Sequence, residues 1–207
     1  MTIEAVIFDI GNVLVEWHPE RMFDAVIGRE RRVALFADVD LAAMNDRVDL
    51  GEEISEVVPE LARAHPEYHD DIMLWHSNWL DMLKPDIPLS AVLLRALRAK
   101  GVAVHALSNF GTSTLALAEQ HFPVLKEFDS RYVSGHLRMM KPDPAIYAAV
   151  EQGTRVAPAG LFFIDDRSEN IAAAKARGWQ THLFETPEGL AERLVAEGLL
   201  TRPEIAA

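Results

Sequence analysis

The run Ala5-Val6-Ile7-Phe8 has no polar side chain and stops on a carboxylate, Asp9, before the chain turns through Gly11-Asn12. A stretch that is apolar on both faces belongs inside a sheet covered on both sides, because a half-exposed hairpin strand would alternate. Ending such a strand on an anion puts charge at the carboxyl edge of the sheet, where open α/β sheets bind their ligands. Short apolar runs of the same kind predict strands at 3–8, 102–107, 131–133, 161–164 and 181–184. Helical patterns separate most of them, at 88–100, 168–177 and 187–197, with Gly101, Gly178 and Gly198 as stops. Strand and helix alternating in this way predict βαβ units with right-handed crossovers. The fold class is therefore α/β, a doubly wound Rossmann-like parallel sheet.

Residues 17–85 break that rhythm and read as helices only, over 19–27, 31–43, 52–64 and 67–83. Trp75 and Trp79 lie four apart, on one helix face. This stretch predicts an α-helical cap of residues 17–85 inserted after the first strand. Residues 1–16 and 86–207 remain for the core, and the tail 203–207 is expected to fray. With 32 acidic against 20 basic residues the formal charge is −12, which argues against nucleic acid or an anionic membrane surface as partner. An anionic substrate then needs a local positive centre, a metal or a lysine. The absence of cysteine excludes disulfides, thiolate metal sites and a cysteine nucleophile. No apolar run reaches the ~18 residues of a membrane span. No basic and apolar leader precedes the first strand, so a cytoplasmic location is the expectation.

Four segments fall just after a predicted strand or in the loop it feeds, and a parallel sheet brings them to one edge: Asp9, Ser108-Asn109, Lys141 and Asp165-Asp166. Taken singly each has an ordinary reading: a turn cap at Asp9, a turn at Ser108-Asn109, a solvated lysine, a surface acidic pair. The strand before Asp165-Asp166 is too hydrophobic for a surface pair, and adjacent anions repel unless a cation stands by. With Asp9 they make an oxygen-rich site suited to Mg²⁺. Ser108 and Asn109 offer a hydroxyl and an amide to phosphate oxygens. Pro142 and Pro144 fix the loop that aims Lys141. Of the histidines, His65 and His69 are separated by Pro66 and form no HExxH pattern. His105 reads as a packed strand residue, and His121, His136 and His182 have no identifiable partner. Trp17, Trp75 and Trp79 read as cap core, with a stacking platform for a sugar ring as the alternative.

The ordered set Asp9-x-Gly11-Asn12-Val13, Leu107-Ser108-Asn109, Lys141-Pro142-Asp143-x-x-Ile146-Tyr147 and Phe163-Ile164-Asp165-Asp166-x-x-x-Asn170-Ile171 resembles the haloacid dehalogenase superfamily of hydrolases. The helical insert resembles that family's first type of cap. The Asp-x-Gly-Asn-Val start is similar to a bacterial group that includes glucose-1-phosphate phosphatases. The resemblance implies a phosphomonoester hydrolase in which Asp9 becomes a phosphoaspartate that water then hydrolyses. It implies Mg²⁺ on the Asp9 carboxylate, the Gly11 carbonyl and Asp166, with Asp165 tuning the site directly or through water. It also implies phosphoryl binding by Ser108, the following backbone amide and Lys141, and a small phosphorylated metabolite such as a sugar phosphate as substrate. The family's phosphatases usually carry a second Asp two residues after the nucleophile as general acid and base. Here that position is Gly11. Either Glu16, His18, Arg21, Asp46 or His76 serves instead, or the leaving group needs less help, as in sugar 1-phosphates, acyl phosphates and aryl phosphates. Two rivals stand beside this reading. An L-2-haloacid dehalogenase would use Asp9 without metal, but such enzymes place uncharged residues where Asp165-Asp166 stand. A catalytically silent phospholigand-binding member is the other. Monomer and homodimer are both open.

Overall fold

The computed structural model describes residues 2–205; Met1, Ala206 and Ala207 lie outside the described residues. Strand β1 (Ala5–Phe8) is followed by β2 (Val15–Trp17) and six helices: α1 (Pro19–Ile27), α2 (Arg29–Asp38), α3 (Leu41–Asp49), α4 (Ile54–Ala64), α5 (His69–Ser77) and α6 (Trp79–Met82). Then come β3 (Leu83–Asp86), α7 (Pro88–Ala99), β4 (Ala103–Ser108), α8 (Thr112–His121), β5 (Ser130–Val133) and α9 (Ser134–Leu137). The chain continues with α10 (Pro144–Thr154), β6 (Leu161–Asp165), α11 (Ser168–Ala176), β7 (Gln180–Leu183), α12 (Pro187–Ala196) and α13 (Arg202–Ile205).

The main sheet has the order β5-β4-β1-β6-β7, and all its pairings are parallel. β1 sits in the centre, so Asp9 emerges between the ends of β4 and β6. Alternate residues of these strands face two different cores. Val6, Phe8, Phe162 and Ile164 point to one side, and Ala5, Ile7, Leu161 and Phe163 to the other. That explains why the strands show no polar alternation. The first core is continuous with the apolar interior of the helical cap, through residues such as Met22, Phe23, Val48 and Trp75.

The segment 17–85, expected to form a cap, departs from the expected run of helices in three places. Val15–Trp17 and Leu83–Asp86 form a two-stranded antiparallel ribbon at its base, with Trp17 paired to Leu83. The helix expected over 31–43 is two helices, broken because Asp40 caps a new one, its side chain accepting from Ala43 N at 2.9 Å. The stretch 67–83 is likewise divided, into a 3-10 turn at Pro66–Tyr68, α5, α6 and the start of β3. The tail expected to fray instead forms α13 as far as Ile205. Among the described residues no helix is long and apolar enough to cross a membrane.

Candidate active site

The β1–β6 pairing that holds the centre of the sheet also sets the nucleophile candidate, since Asp9 N donates to Ile164 O at 2.8 Å. The Asp9 side chain is almost fully enclosed, at 6% exposure. Its Oδ1 accepts from Ile10 N and from Ser108 Oγ, each at 2.7 Å, and its Oδ2 lies 2.9 Å from Lys141 Nζ. Lys141 Nζ also donates to Asp165 Oδ2 at 2.7 Å. One buried cation thus bridges two buried carboxylates that reach it from β1 and β6.

The two adjacent aspartates take different parts. Asp165 is fully buried and its oxygens are taken by protein donors: Oδ1 by Arg167 N at 2.8 Å and Asn170 Nδ2 at 3.0 Å, Oδ2 by Lys141. Its immediate work is to orient Lys141. Asp166 is less enclosed and accepts from Asn12 Nδ2 at 3.0 Å. Asn12 also receives Trp17 N on its Oδ1 at 2.8 Å and holds a left-handed backbone, φ 55°, which asparagine tolerates. Neither Asn12 nor Asn170 was assigned a role from the sequence. Each acts by orienting a carboxylate, which only the folded geometry reveals.

Asn109 requires a correction. Its side chain is not free for a phosphate oxygen, because Nδ2 donates to Lys141 O at 3.0 Å and Oδ1 accepts Lys141 N at 2.8 Å. The amide side chain grips the lysine peptide on both sides, so only the backbone of Asn109 remains to offer a ligand. Ser108 stays beside Asp9.

Electrostatics follow from this packing. Burial pushes the Asp9 carboxyl up to about 7 against the pull of Lys141, and Asp165 adds to the rise. Asp166 is raised by burial too. Burial opposes the charge on Lys141, but Asp9 and Asp165 outweigh it and hold the ammonium above its usual value. Asp9, Asp165 and Asp166 each bring an oxygen within 4.8 Å of the others. Three carboxylates stand beside one lysine, which pairs with only two of them, leaving unbalanced negative charge at an all-oxygen donor set. That is the chemistry of a hard divalent cation site. The turn after Asp9 closes by Asn12 N donating to Val15 O and Val15 N to Ile10 O, at 2.7 and 3.2 Å, so the Gly11 carbonyl is not consumed by it. His65 and His69 contribute to no such cluster among the described residues.

The site opens into a cavity of about 170 Å³ whose walls come from both parts of the chain. The core supplies Asp9, Lys141 and Asp166; the cap supplies Asn45, Asp46 and Asp49 from α3, with Trp17 and Trp79 beside them. Trp75 and Trp79 are buried as expected of cap core, whereas Trp17 is half-buried and forms wall. Of the residues considered as stand-ins for the absent acid, only Asp46 borders this cavity. Glu16 is paired with Arg21 at 2.6 Å, and His76 faces solvent. Asn45 and Asp49 were missed in the sequence, where nothing in a helical stretch marks which turn will touch the sheet edge.

A buried aspartate at the tip of a central parallel strand, held by a lysine and flanked by further carboxylates, defines an α/β protein with an acidic site at the carboxyl edge of its sheet. A family model for haloacid dehalogenase-like hydrolases matches residues 3–178, and the chain belongs to that family. A sesquiterpene phosphatase, astK of Aspergillus oryzae, is 27% identical over 179 residues, covering 86% of this chain and 87% of its own. A haloacetate dehalogenase, H-2 of Moraxella sp., is 31% identical over 98 residues, covering 47% of this chain and 43% of its own. The crystal structure of the HAD family enzyme bt-2542 from Bacteroides thetaiotaomicron superposes with a TM-score of 0.76 at 22% identity, over 94% of this chain and 99% of that one. The same enzyme has been crystallised with magnesium and inorganic phosphate, and that structure superposes with a TM-score of 0.70 at 23% identity, over 89% and 95% of the two chains.

Proposed function

We propose that the chain is a Mg²⁺-dependent phosphomonoester hydrolase that works through a phosphoaspartate on Asp9, with residues 17–85 as its cap. The observation that carries this reading is the Asp9–Asp165–Asp166 cluster around Lys141. A dehalogenase displacing halide from carbon has no use for so many carboxylates beside its nucleophile. A phosphatase needs them to hold a cation against an incoming dianion. In this reading Asp9, the Gly11 carbonyl and Asp166 hold the ion, and Asp165 serves through Lys141. When bound, the ion supplies charge compensation for the phosphoryl oxygens. Ser108 Oγ and the backbone amide that follows it bind those oxygens, and Lys141 favours the ionised form of Asp9 against burial and screens it from the phosphate. The magnesium and phosphate complex of the Bacteroides enzyme and the phosphatase from Aspergillus support the assignment.

The substrate we infer is a small phosphorylated metabolite with a hydroxylated leaving group. The small cavity adjoins a wider hollow of about 800 Å³, and the two share Asn12, Trp17, Asn45, Asp46 and Arg167. A phosphoryl group fits the inner chamber and the leaving group the outer one. Amide and carboxylate groups beside an indole suit a sugar better than an aliphatic chain.

The test is turnover of a panel of sugar, aryl and isoprenoid phosphates and 2-haloacids, with Mg²⁺ and with EDTA, for wild type and Asp9→Asn. Phosphatase activity should be lost on chelation and fall by at least roughly a thousandfold in Asp9→Asn, as expected for removal of a nucleophile. Release of halide that survives EDTA would assign the chain to the dehalogenases, and no turnover of any compound would mark a silent member.

A further inference from the structure

We propose that Asp49, on the last turn of cap helix α3, is the acid that protonates the leaving group and the base that activates water. It would take over the task for which Gly11 has no side chain. The inference rests on the phosphatase reading above. Asp49 borders the same small cavity as Asp9, Ser108 and Lys141, on the part of its wall that α3 supplies. A Cβ placed on Gly11 would meet only Trp17 Cβ, at 3.9 Å, and the glycine does not hold a positive φ. Backbone geometry therefore does not impose glycine there, and the missing carboxylate has been replaced from another direction.

What distinguishes Asp49 from other cap residues is how firmly it is fixed to the catalytic loop. Its backbone carbonyl accepts from Ser134 Oγ at 2.5 Å, and that hydroxyl in turn accepts from Phe110 N at 2.8 Å, two residues beyond Ser108. The loop approaches so closely that a Cβ on Gly111 would lie 2.9 Å from Val48 O, and one on Gly51 would collide with Gly135 O. α3 is thus tied to the loop that follows Ser108. The carboxylate is oriented by Asn45, whose Nδ2 donates to Oδ2 at 2.9 Å. The Gly111 backbone N–H, in the loop that follows Ser108, also donates to this carboxylate. Asp46 is exposed on the same helix and has no such contact with the core.

Burial pushes the Asp49 carboxyl up to about 7, with Asp46 adding to the rise and Asn45 opposing it. An acid poised there can give and take a proton near neutrality. The ionisable groups across the cavity are Asp9, Lys141, Asp166 and Arg167. α9, packed against α3, brings His136 and Arg138. On the side of α4, Glu52 and Glu60 are paired with Arg47, and Glu53 and Glu56 face solvent.

The step balances as follows. Asp9 Oδ bonds to phosphorus while the bond from phosphorus to the leaving oxygen breaks. The electron pair stays on that oxygen, which takes the proton from Asp49 and departs as an alcohol. Water then bonds to phosphorus and gives a proton to the Asp49 carboxylate, and the Asp9–phosphorus bond breaks to return the carboxylate. The sum is ester plus water giving alcohol plus phosphate.

The experiment compares kcat/KM of the Mg²⁺-loaded wild type and Asp49→Asn on a simple alkyl phosphate and on p-nitrophenyl phosphate, across pH. Loss of general acid help should cost about 10²–10⁴-fold on the alkyl ester. On the aryl ester, whose phenolate leaves unaided, it should cost tenfold or less. The fall of kcat/KM above pH about 7 on the alkyl ester should vanish in the variant. Mg²⁺-dependent labelling of Asp9 by beryllofluoride should persist, showing that the site is still assembled. Equal losses on both esters, no loss, or a larger leaving-group dependence in Asp46→Asn than in Asp49→Asn would overturn the assignment while leaving an Asp9-dependent wild-type phosphatase in place. A wild type with no Asp9-dependent turnover would remove the phosphatase reading itself.

Discussion

At the scale of single residues, the site concentrates charge that the fold would be more stable without. Asp9 is held near 7 in the folded chain against 3.8 in the open one, chiefly by burial. Below 3.8 both states carry the proton. Between 3.8 and about 7 the folded state keeps a proton that the unfolded state has released, so stability falls as pH rises through that window. At pH 8, without metal, Asp9→Asn should therefore raise Tm. Near pH 4 that gain should disappear. Saturating Mg²⁺ should raise Tm of the wild type and have little effect on Asp9→Asn, since a ligand of the folded state stabilises only where its site is intact. Thermal melts over pH 4–8 with EDTA and with Mg²⁺ check both; a wild type more stable than Asp9→Asn at pH 8 in EDTA would refute the first. Asp9, Lys141 and Asp166 could be picked out from sequence because each ends a strand or sits in a proline-bounded loop. Asp49 could not, because its proximity to Asp9 depends on how the cap lies on the core.

At the scale of elements, the segments legible in the sequence were those with their own punctuation. α7, α11 and α12 run from a proline or serine start to a glycine stop, and their observed ends lie within a residue of expectation. The ribbon of β2 and β3 was illegible because it is short and carries Glu16, Lys84, Pro85 and Asp86, none of which marks a strand. Its register comes from tertiary contacts, including His18 N to Met82 O at 2.9 Å and Ile87 N to Leu14 O at 2.8 Å. The seam between α3 and the loop after β4 has a testable tolerance. A methyl at Gly135 would lie 2.8 Å from both Phe110 O and Thr112 N, which are backbone atoms that cannot swing away. Gly135→Ala should therefore cost about 1–3 kcal/mol, typical of overpacking, and lower kcat as α9, which packs against α3, is pushed off the loop. Gly101→Ala is the contrast. It has φ +78° and nothing within 4 Å of the added atom. It should lose about 1 kcal/mol from backbone strain and leave kcat unchanged. Chemical denaturation and steady-state kinetics of the two variants measure this, and equal effects on kcat would deny the seam its role.

At the scale of the whole molecule, cap and sheet share one apolar core, so the cap's Met22, Phe23 and Val48 belong to the same packed body as Phe8 and Phe162. The acidic balance then acts on substrate capture rather than on folding class. With 32 acidic and 20 basic residues, the protein repels a phosphate dianion at long range while the local lysine and cation attract it at short range. The long-range part is screened over about 10 Å at 0.1 M salt, whereas the buried contacts at Lys141 are screened far less. Raising ionic strength should therefore raise kcat/KM for a dianionic ester, by about two- to fivefold between ~20 and ~200 mM KCl at saturating Mg²⁺. kcat should stay constant, because the contacts among the buried groups Asp9, Lys141 and Asp165 are screened little by salt. The increase should shrink in a variant that neutralises the exposed rim carboxylates Asp38 and Asp40, which border the outer hollow without entering the inner one. A fall in kcat/KM with added salt would mean that the cation-bearing site, and not the acidic surface, controls the approach of substrate.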